Sequence, residues 1–246
     1  MFERPNHRRI ATVRRALDAD VLAANACLFG GGTAMALRFG EYRESVDIDF
    51  LVSRVDGYRH LRQRLTSADG LRAITRAGHT LKQTREVRAD QYGIRTLLQV
   101  DGADIKFEIV LEGRIELEAP GPDDQQCGVA TLTPLDMATC KLLANSDRWR
   151  DDAVMSRDLI DLAMMAPPKP LLQQAMAKAQ LAYGDSVATD LARAVDDLRA
   201  RPHRLEPCMQ AMAMTTVSKA ALWARIRALA KAGRNGKPSA WVRASE

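Results

Sequence analysis

The chain predicts an α/β domain followed by a helical bundle, and three observations carry that prediction. Apolar runs with two-residue alternation, punctuated by glycine, fill the first half. Helical spacing fills the second half, and a stretch rich in Gly, Pro, Asp and Glu at residues 113–128 separates the two. We therefore expect a core domain over residues 1–130, with a mixed sheet and helices, and a helical domain over residues 131–246. The 246 residues are 46% hydrophobic, enough for a packed core.

Composition excludes several classes. No stretch approaches the roughly 18 uncharged apolar residues of a membrane helix. The first 15 residues hold arginines but no apolar core of a secretory signal, so the expected compartment is the cytoplasm, without membrane association. Cys27, Cys127, Cys140 and Cys208 lack CxxC spacing, which argues for buried thiols and against a disulfide framework or zinc site. A formal net charge of +5 favours an anionic partner without identifying one. Aromatics at 5% argue against a single-strand binder built on base-stacking platforms.

Taken in order, residues 6–25 space Ile10, Val13, Leu17, Val21 and Leu22 helically against Arg8, Arg9, Arg14 and Arg15. One amphipathic helix with a solvated basic face is predicted. Residues 27–29 read as a short buried strand, Gly30-Gly31-Gly32 breaks it, and Thr33 is placed to cap the helix that follows. In residues 46–52 strand alternation puts Asp47 and Asp49 on one face and Val46, Ile48 and Phe50 on the other.

A helix over 58–68 precedes three strand-like stretches at 71–76, 81–87 and 94–100, which predict an antiparallel meander. Arg72, Arg76, Lys82, Arg85, Arg88 and Arg95 run through it, so one sheet face is basic or these are ordinary solvent-side positions. Residues 103–111 form the next strong strand, with Asp104, Lys106 and Glu108 opposite Ile105, Phe107 and Ile109. A short strand is expected at 115–117.

Thr133 and Pro134 cap and open a helix that carries Lys141. A second helix at 154–165 carries Arg157, Asp158 and Asp161. The prolines of residues 167–170 stop it. Helices are then expected at 171–183, 186–201, 204–214 and 217–232, with many methionines as adaptable core packing. Residues 233–246 read as a loose tail in which Trp241 docks.

Residues 27–53 are the segment whose residue types folding alone does not explain. Three glycines admit close approach of a ligand to the backbone, and the free N–H groups of the helix start favour an anion such as a phosphate. Arg38 and Arg43, between the glycines and the aspartates, are placed for phosphate contact. Two carboxylates sharing a strand face repel, and a hard divalent cation such as Mg²⁺ is the usual answer.

Gly31-Gly32-Thr33 followed by Asp47-Ile48-Asp49 resembles the first motif of the DNA polymerase β-type nucleotidyltransferase superfamily, in which Ser more often stands at the Thr33 position. More narrowly, GGGTAMALR followed by RESVDIDF resembles the AbiEii-type branch, the nucleotidyltransferase toxins of bacterial toxin–antitoxin and abortive-infection systems. TPLDMATCKLLAN and SRDLIDLAMM resemble later motifs of that family, so the likeness spans roughly residues 25–165.

The resemblance implies a nucleotidyltransferase-type mixed sheet followed by a helical domain that contributes Lys141 and Asp158. It implies that Gly31, Gly32, Thr33, Arg38, Ser45 and Lys141 bind a nucleoside triphosphate, and that Asp47 and Asp49 hold Mg²⁺ or Mn²⁺. A third acid is expected, with Glu108, Asp104, Asp158 and Asp161 as candidates. The implied reaction moves a nucleoside monophosphate onto an acceptor, an RNA such as a tRNA 3′ end, and the implied partner is a cognate antitoxin. Transfer to a small molecule or a protein stays open, as does a catalytically silent binding module.

Overall fold

The structure, a computed structural model, describes residues 2–234. The predicted first helix is in fact two, α1 (Pro5–Ala16) and α2 (Ala19–Ala24). The break falls at Asp18, whose carboxylate accepts the N–H groups of Asp20 and Val21 and so caps α2. Nor is the basic face of α1 wholly solvated. Arg14 is fully buried, with its guanidinium 3.8 Å over the Phe29 ring and a hydrogen bond to the Gln126 carbonyl.

β1 (Leu28–Gly30) leads into α3 (Gly31–Arg38), then β2 (Ile48–Val52) and α4 (Val55–Leu65). The first strand expected of the meander is instead a 3₁₀ turn, Gly70–Ile74. Its Leu71 and Ile74 still fill the core, and only Thr75 makes a strand-like bridge, to Leu17. β3 (Lys82–Ala89), β4 (Gly93–Val100) and β5 (Ala103–Leu111) follow.

The five strands make one mixed sheet in the order β1-β2-β5-β4-β3, with β2 and β5 parallel and every other pair antiparallel. Alternation sends Ile48, Phe50 and Val52 of β2, and Ile105, Phe107 and Ile109 of β5, into the core. Phe50 packs between Phe29 and Phe107, at centroid distances of 5.6 and 5.7 Å. Val46 is 50% exposed, not buried with them, because the strand begins only at Ile48.

No strand forms at 115–117; a small hairpin of β6 (Gln125–Gln126) and β7 (Val129–Ala130) closes that loop instead. From there the described chain is helical. α5 (Pro134–Arg148) is capped by the Thr133 hydroxyl as predicted. α6 (Arg157–Met165) starts three residues later than expected, because Met155 and Ser156 both take left-handed backbone angles after a 3₁₀ turn.

α7 (Lys169–Tyr183), α8 (Ser186–Ala200), α9 (Leu205–Ala211) and α10 (Lys219–Arg234) complete the bundle. Trp241 lies outside the described residues. All four cysteines are free, Cys27 and Cys208 buried and Cys127 and Cys140 only half-buried. Among the described residues no helix is long and apolar enough to cross a membrane.

The three tilted rings of Phe29, Phe50 and Phe107 are buried together across β1, β2 and β5. Phe50→Ala should lower stability to chemical denaturation by about 3–5 kcal/mol, through lost transfer energy and a residual cavity. A shift below about 1 kcal/mol would mean that the core collapses to fill the space.

Candidate active site

A cleft of about 330 Å³ opens between the β2–β5 pair and helices α5 and α6. Gly31 and Gly32, at the start of α3, form one rim. Gly31 has φ +69°, and a Cβ there would stand 2.5 Å from Asp49 Oδ2. Only glycine takes that backbone without strain and also leaves room for the carboxylate.

Thr33 does not cap α3, because Gly30 occupies the cap position. Its side chain is buried below the rim, where Oγ1 donates to the Asp47 carbonyl at 2.6 Å and lies 2.7 Å from the Ser45 hydroxyl. Thr33 thus holds the segment that delivers Ser45 and Asp47 to the cleft. The same segment is fixed behind by His7, whose Nε2 accepts the Ser45 N–H while Nδ1–H donates to Glu41 at 2.6 Å.

Asp47 and Asp49 both face the cleft, and among the described residues neither carboxylate has an ion pair or hydrogen bond. Burial, the Asp47 charge and the Glu108 charge push the Asp49 carboxyl up to about 6; Lys106 and Lys141 only partly offset them. Parallel pairing sets Asp49 beside Glu108. Glu108 is neutralised from its other side by Arg95 and Lys106, each at 2.5 Å.

Asp104, on the same strand, is not brought to the cleft; it is exposed and accepts from Thr84 and Gln99. Among the described residues no three His, Cys, Asp or Glu side chains gather as a ready metal cluster, so Asp47 and Asp49 stand as a two-carboxylate set.

The opposite wall is a buried charge network. Lys141 Nζ lies 2.9 Å from Asp158 and 2.6 Å from Asp161. Arg148 donates to both oxygens of Asp158, at 2.7 and 3.0 Å. Arg43 donates twice to Asp161, at 2.6 and 2.9 Å, and the Tyr42 hydroxyl donates to it at 2.7 Å. Burial alone would raise both carboxyls, but Lys141 and Arg148 hold Asp158, and Arg43 and Lys141 hold Asp161, below the usual range.

Of the residues singled out from sequence, the cleft brings together Gly31, Gly32, Arg43, Ser45, Asp47, Asp49, Glu108, Lys141, Arg157 and Asp158. Arg38 is engaged elsewhere, paired with Asp124 at 2.8 Å. Sequence reasoning missed Glu112, Arg114 and Arg148 in the wall. Arg148 was findable, since it follows Lys141 by seven residues and so shares its helix face. Arg114, which bridges Glu112 and Asp147, carried no comparable signal.

The raised Asp49 carboxyl has a stability consequence. An acid whose folded pKa exceeds its unfolded value costs stability above that pKa, and the cost disappears below the unfolded value. In metal-free buffer near pH 8, Asp49→Asn should therefore be more stable than wild type, by up to about 3 kcal/mol. The difference should fade between pH 6 and 4. Equal denaturation midpoints at pH 8 would mean that Asp49 is already neutralised.

A sequence profile described as nucleotidyl transferase AbiEii toxin, type IV toxin–antitoxin system, matches residues 15–240. A search of curated proteins finds no match. Two Helicobacter pylori crystal structures are similar in fold. One, provisionally named a nucleotidyltransferase, is 16% identical with a TM-score of 0.51, covering 93% of this chain and 95% of its own. The other, JHP933, is 15% identical with a TM-score of 0.54, covering 95% of each. With nearly the whole described chain inside the profile, the protein belongs to the AbiEii nucleotidyltransferase toxin family.

Proposed function

We propose that this protein uses a divalent metal to transfer a nucleoside monophosphate from a nucleoside triphosphate to an RNA, the expected acceptor being a tRNA 3′ end. We further propose that it does so in the cytoplasm as a toxin with a cognate antitoxin. The observation that carries the reading is the pair of unpartnered carboxylates, Asp47 and Asp49, facing the cleft beside a glycine-bounded helix start.

The donor set fits a hard cation. Asp47 and Asp49 offer carboxylate oxygens, which suit Mg²⁺ or Mn²⁺, and among the described residues no cation pairs with either of them. When bound, such an ion neutralises phosphate oxygens and aligns the α-phosphorus with its attacker.

The chain's own groups supply the rest. The N–H groups at the start of α3, beside Gly31 and Gly32, suit a phosphate, and the Ser45 hydroxyl lies on the same rim. Lys141, Arg148 and Arg157 set positive charge on the opposite wall, where the leaving pyrophosphate gains negative charge. Lys141 is pinned between two acids, so it acts as a fixed charge and not as a mobile arm.

Glu108, adjacent to Asp49, takes the proton of the attacking hydroxyl as the new O–P bond forms and the bond to pyrophosphate breaks. Asp158 positions Lys141 and Arg148, and Thr33 positions Asp47. In this reading residues 1–130 bring the acids and residues 131–246 the cations of the far wall.

The test supplies Mg²⁺, each α-labelled nucleoside triphosphate in turn, and total bacterial RNA. Wild type should label RNA, and Asp49→Asn should transfer at least about 100-fold less while melting cooperatively. Equal transfer by Asp49→Asn would remove the carboxylate pair from the reaction. Label on the protein or on a small molecule would replace the RNA acceptor.

A further inference from the structure

The sheet face that carries Asp49 and Glu108 continues outward past the cleft, and its cations are not used by the reaction above. Register defines the rows. Asp49 neighbours Glu108, Glu108 neighbours Arg95, and Arg95 neighbours Arg88 on the edge strand β3. In the next row Lys106 neighbours Leu97, and Leu97 neighbours Arg85. In the third, Asp104, Gln99 and Lys82 are neighbours.

Ile94, Thr96 and Leu98 are buried, so alternation turns Arg95, Leu97 and Gln99 of β4 to the other face. Residues 82–86 of β3 and Lys106 of β5 are exposed. The face therefore presents Lys82, Arg85, Arg88, Arg95 and Lys106, reaching from the cleft wall at β5 to the sheet edge at β3, about 10 Å across two strand spacings.

The acids on this face are already engaged. Glu108 is held by Arg95 and Lys106, and Asp104 accepts from Thr84 and Gln99. Among the described residues the Arg85 and Arg88 guanidiniums have no ion pair, and the Lys82 ammonium contacts only the neutral Gln99, at 2.6 Å. Glu86 is the one further acid on β3, in the stretch where its pairing with β4 is irregular. A row of uncompensated guanidiniums suits phosphodiester oxygens, which they bind with paired N–H groups.

We propose that the outward face of β3, β4 and β5 binds the acceptor RNA's phosphate backbone, with Arg85 and Arg88 as its outer contacts and Lys106 where the strand enters the cleft. The proposal rests on the transfer reading for its choice of RNA. Lys106 belongs both to the cleft wall and to the basic row, so a backbone lying on that row leads its terminal hydroxyl toward Asp47 and Asp49.

The test reads binding without turnover. Fluorescent bulk bacterial tRNA is titrated with the full chain at several KCl concentrations. Charge reversal in Arg85→Glu/Arg88→Glu should weaken binding at least tenfold and reduce the slope of log K against log salt by about two. Its melting curve and its affinity for a non-hydrolysable nucleoside triphosphate should match wild type. Arg193→Glu/Arg199→Glu, the same charge change on exposed positions of α8, should bind tRNA as wild type does.

Unchanged tRNA affinity in Arg85→Glu/Arg88→Glu, or equal weakening in the α8 variant, would overturn the proposal and leave this face to an acidic protein partner. Wild type that binds tRNA through Arg85 and Arg88 but transfers no label would sink the transfer reading and leave the surface standing. Transfer to RNA that is indifferent to both reversals would do the opposite.

Discussion

The buried chain of charges from Arg43 through Asp161, Lys141 and Asp158 to Arg148 is the interaction on which the rest depends. It joins the segment after α3 to helices α5 and α6, which together enclose the cleft. Any one of the inner charges alone would be prohibitively expensive to bury, and removing one partner of such a pair typically costs about 3–5 kcal/mol. The network is therefore all or nothing. Its geometry also reaches back to the glycine rim, because the Arg43 guanidinium occupies the space that a Cβ at position 32 would need. Gly32, a rim residue, is thus also a packing consequence of Asp161, on a helix more than a hundred residues away in sequence.

Against that background the acids of the cleft divide by environment. Asp158 and Asp161 are more buried than Asp49, yet cations at hydrogen-bonding distance keep them ionised. Asp49 is pushed the other way by burial and by the Asp47 charge, because no cation stands at hydrogen-bonding distance from it to offset them. Fully matched acids hold walls in place, whereas an unmatched pair is held ready for a positive charge from outside. The same residue type therefore serves two purposes within one cleft, and the partners decide which.

Much of this was legible in the sequence, where the signal is local. Alternation found β2 and β5, and Thr133-Pro134 found the start of α5. What was not legible depends on partners distant in the chain. Thr33 looked like a cap from its neighbours, but its hydroxyl is claimed by Asp47. Arg38 and Arg43 looked equivalent beside the glycines; Asp124 takes one and Asp161 the other. Asp104 and Glu108 share a strand face, and only the pairing of Ile48 with Phe107 puts Glu108 beside Asp49 and leaves Asp104 beyond the end of β2. Asp18 is different, since its break of the first helix is local capping chemistry that the continuous apolar stripe concealed.

Strand order turns these separate pieces into a site. Sheet order differs from chain order, because the parallel pairing of β2 with β5 inserts the whole β3–β4 excursion between two adjacent strands. Across the sheet the sequence of features becomes glycine rim and helix start at β1, carboxylates on β2 and β5, and cations on β4 and β3. Anion-attracting groups thus lie on both sides of a carboxylate centre that itself repels anions. Such an order makes little sense for one anionic ligand, which would sit on either flank and avoid the middle. It suits two anionic reactants approaching from opposite flanks and meeting where the unmatched carboxylates would draw in a positive charge.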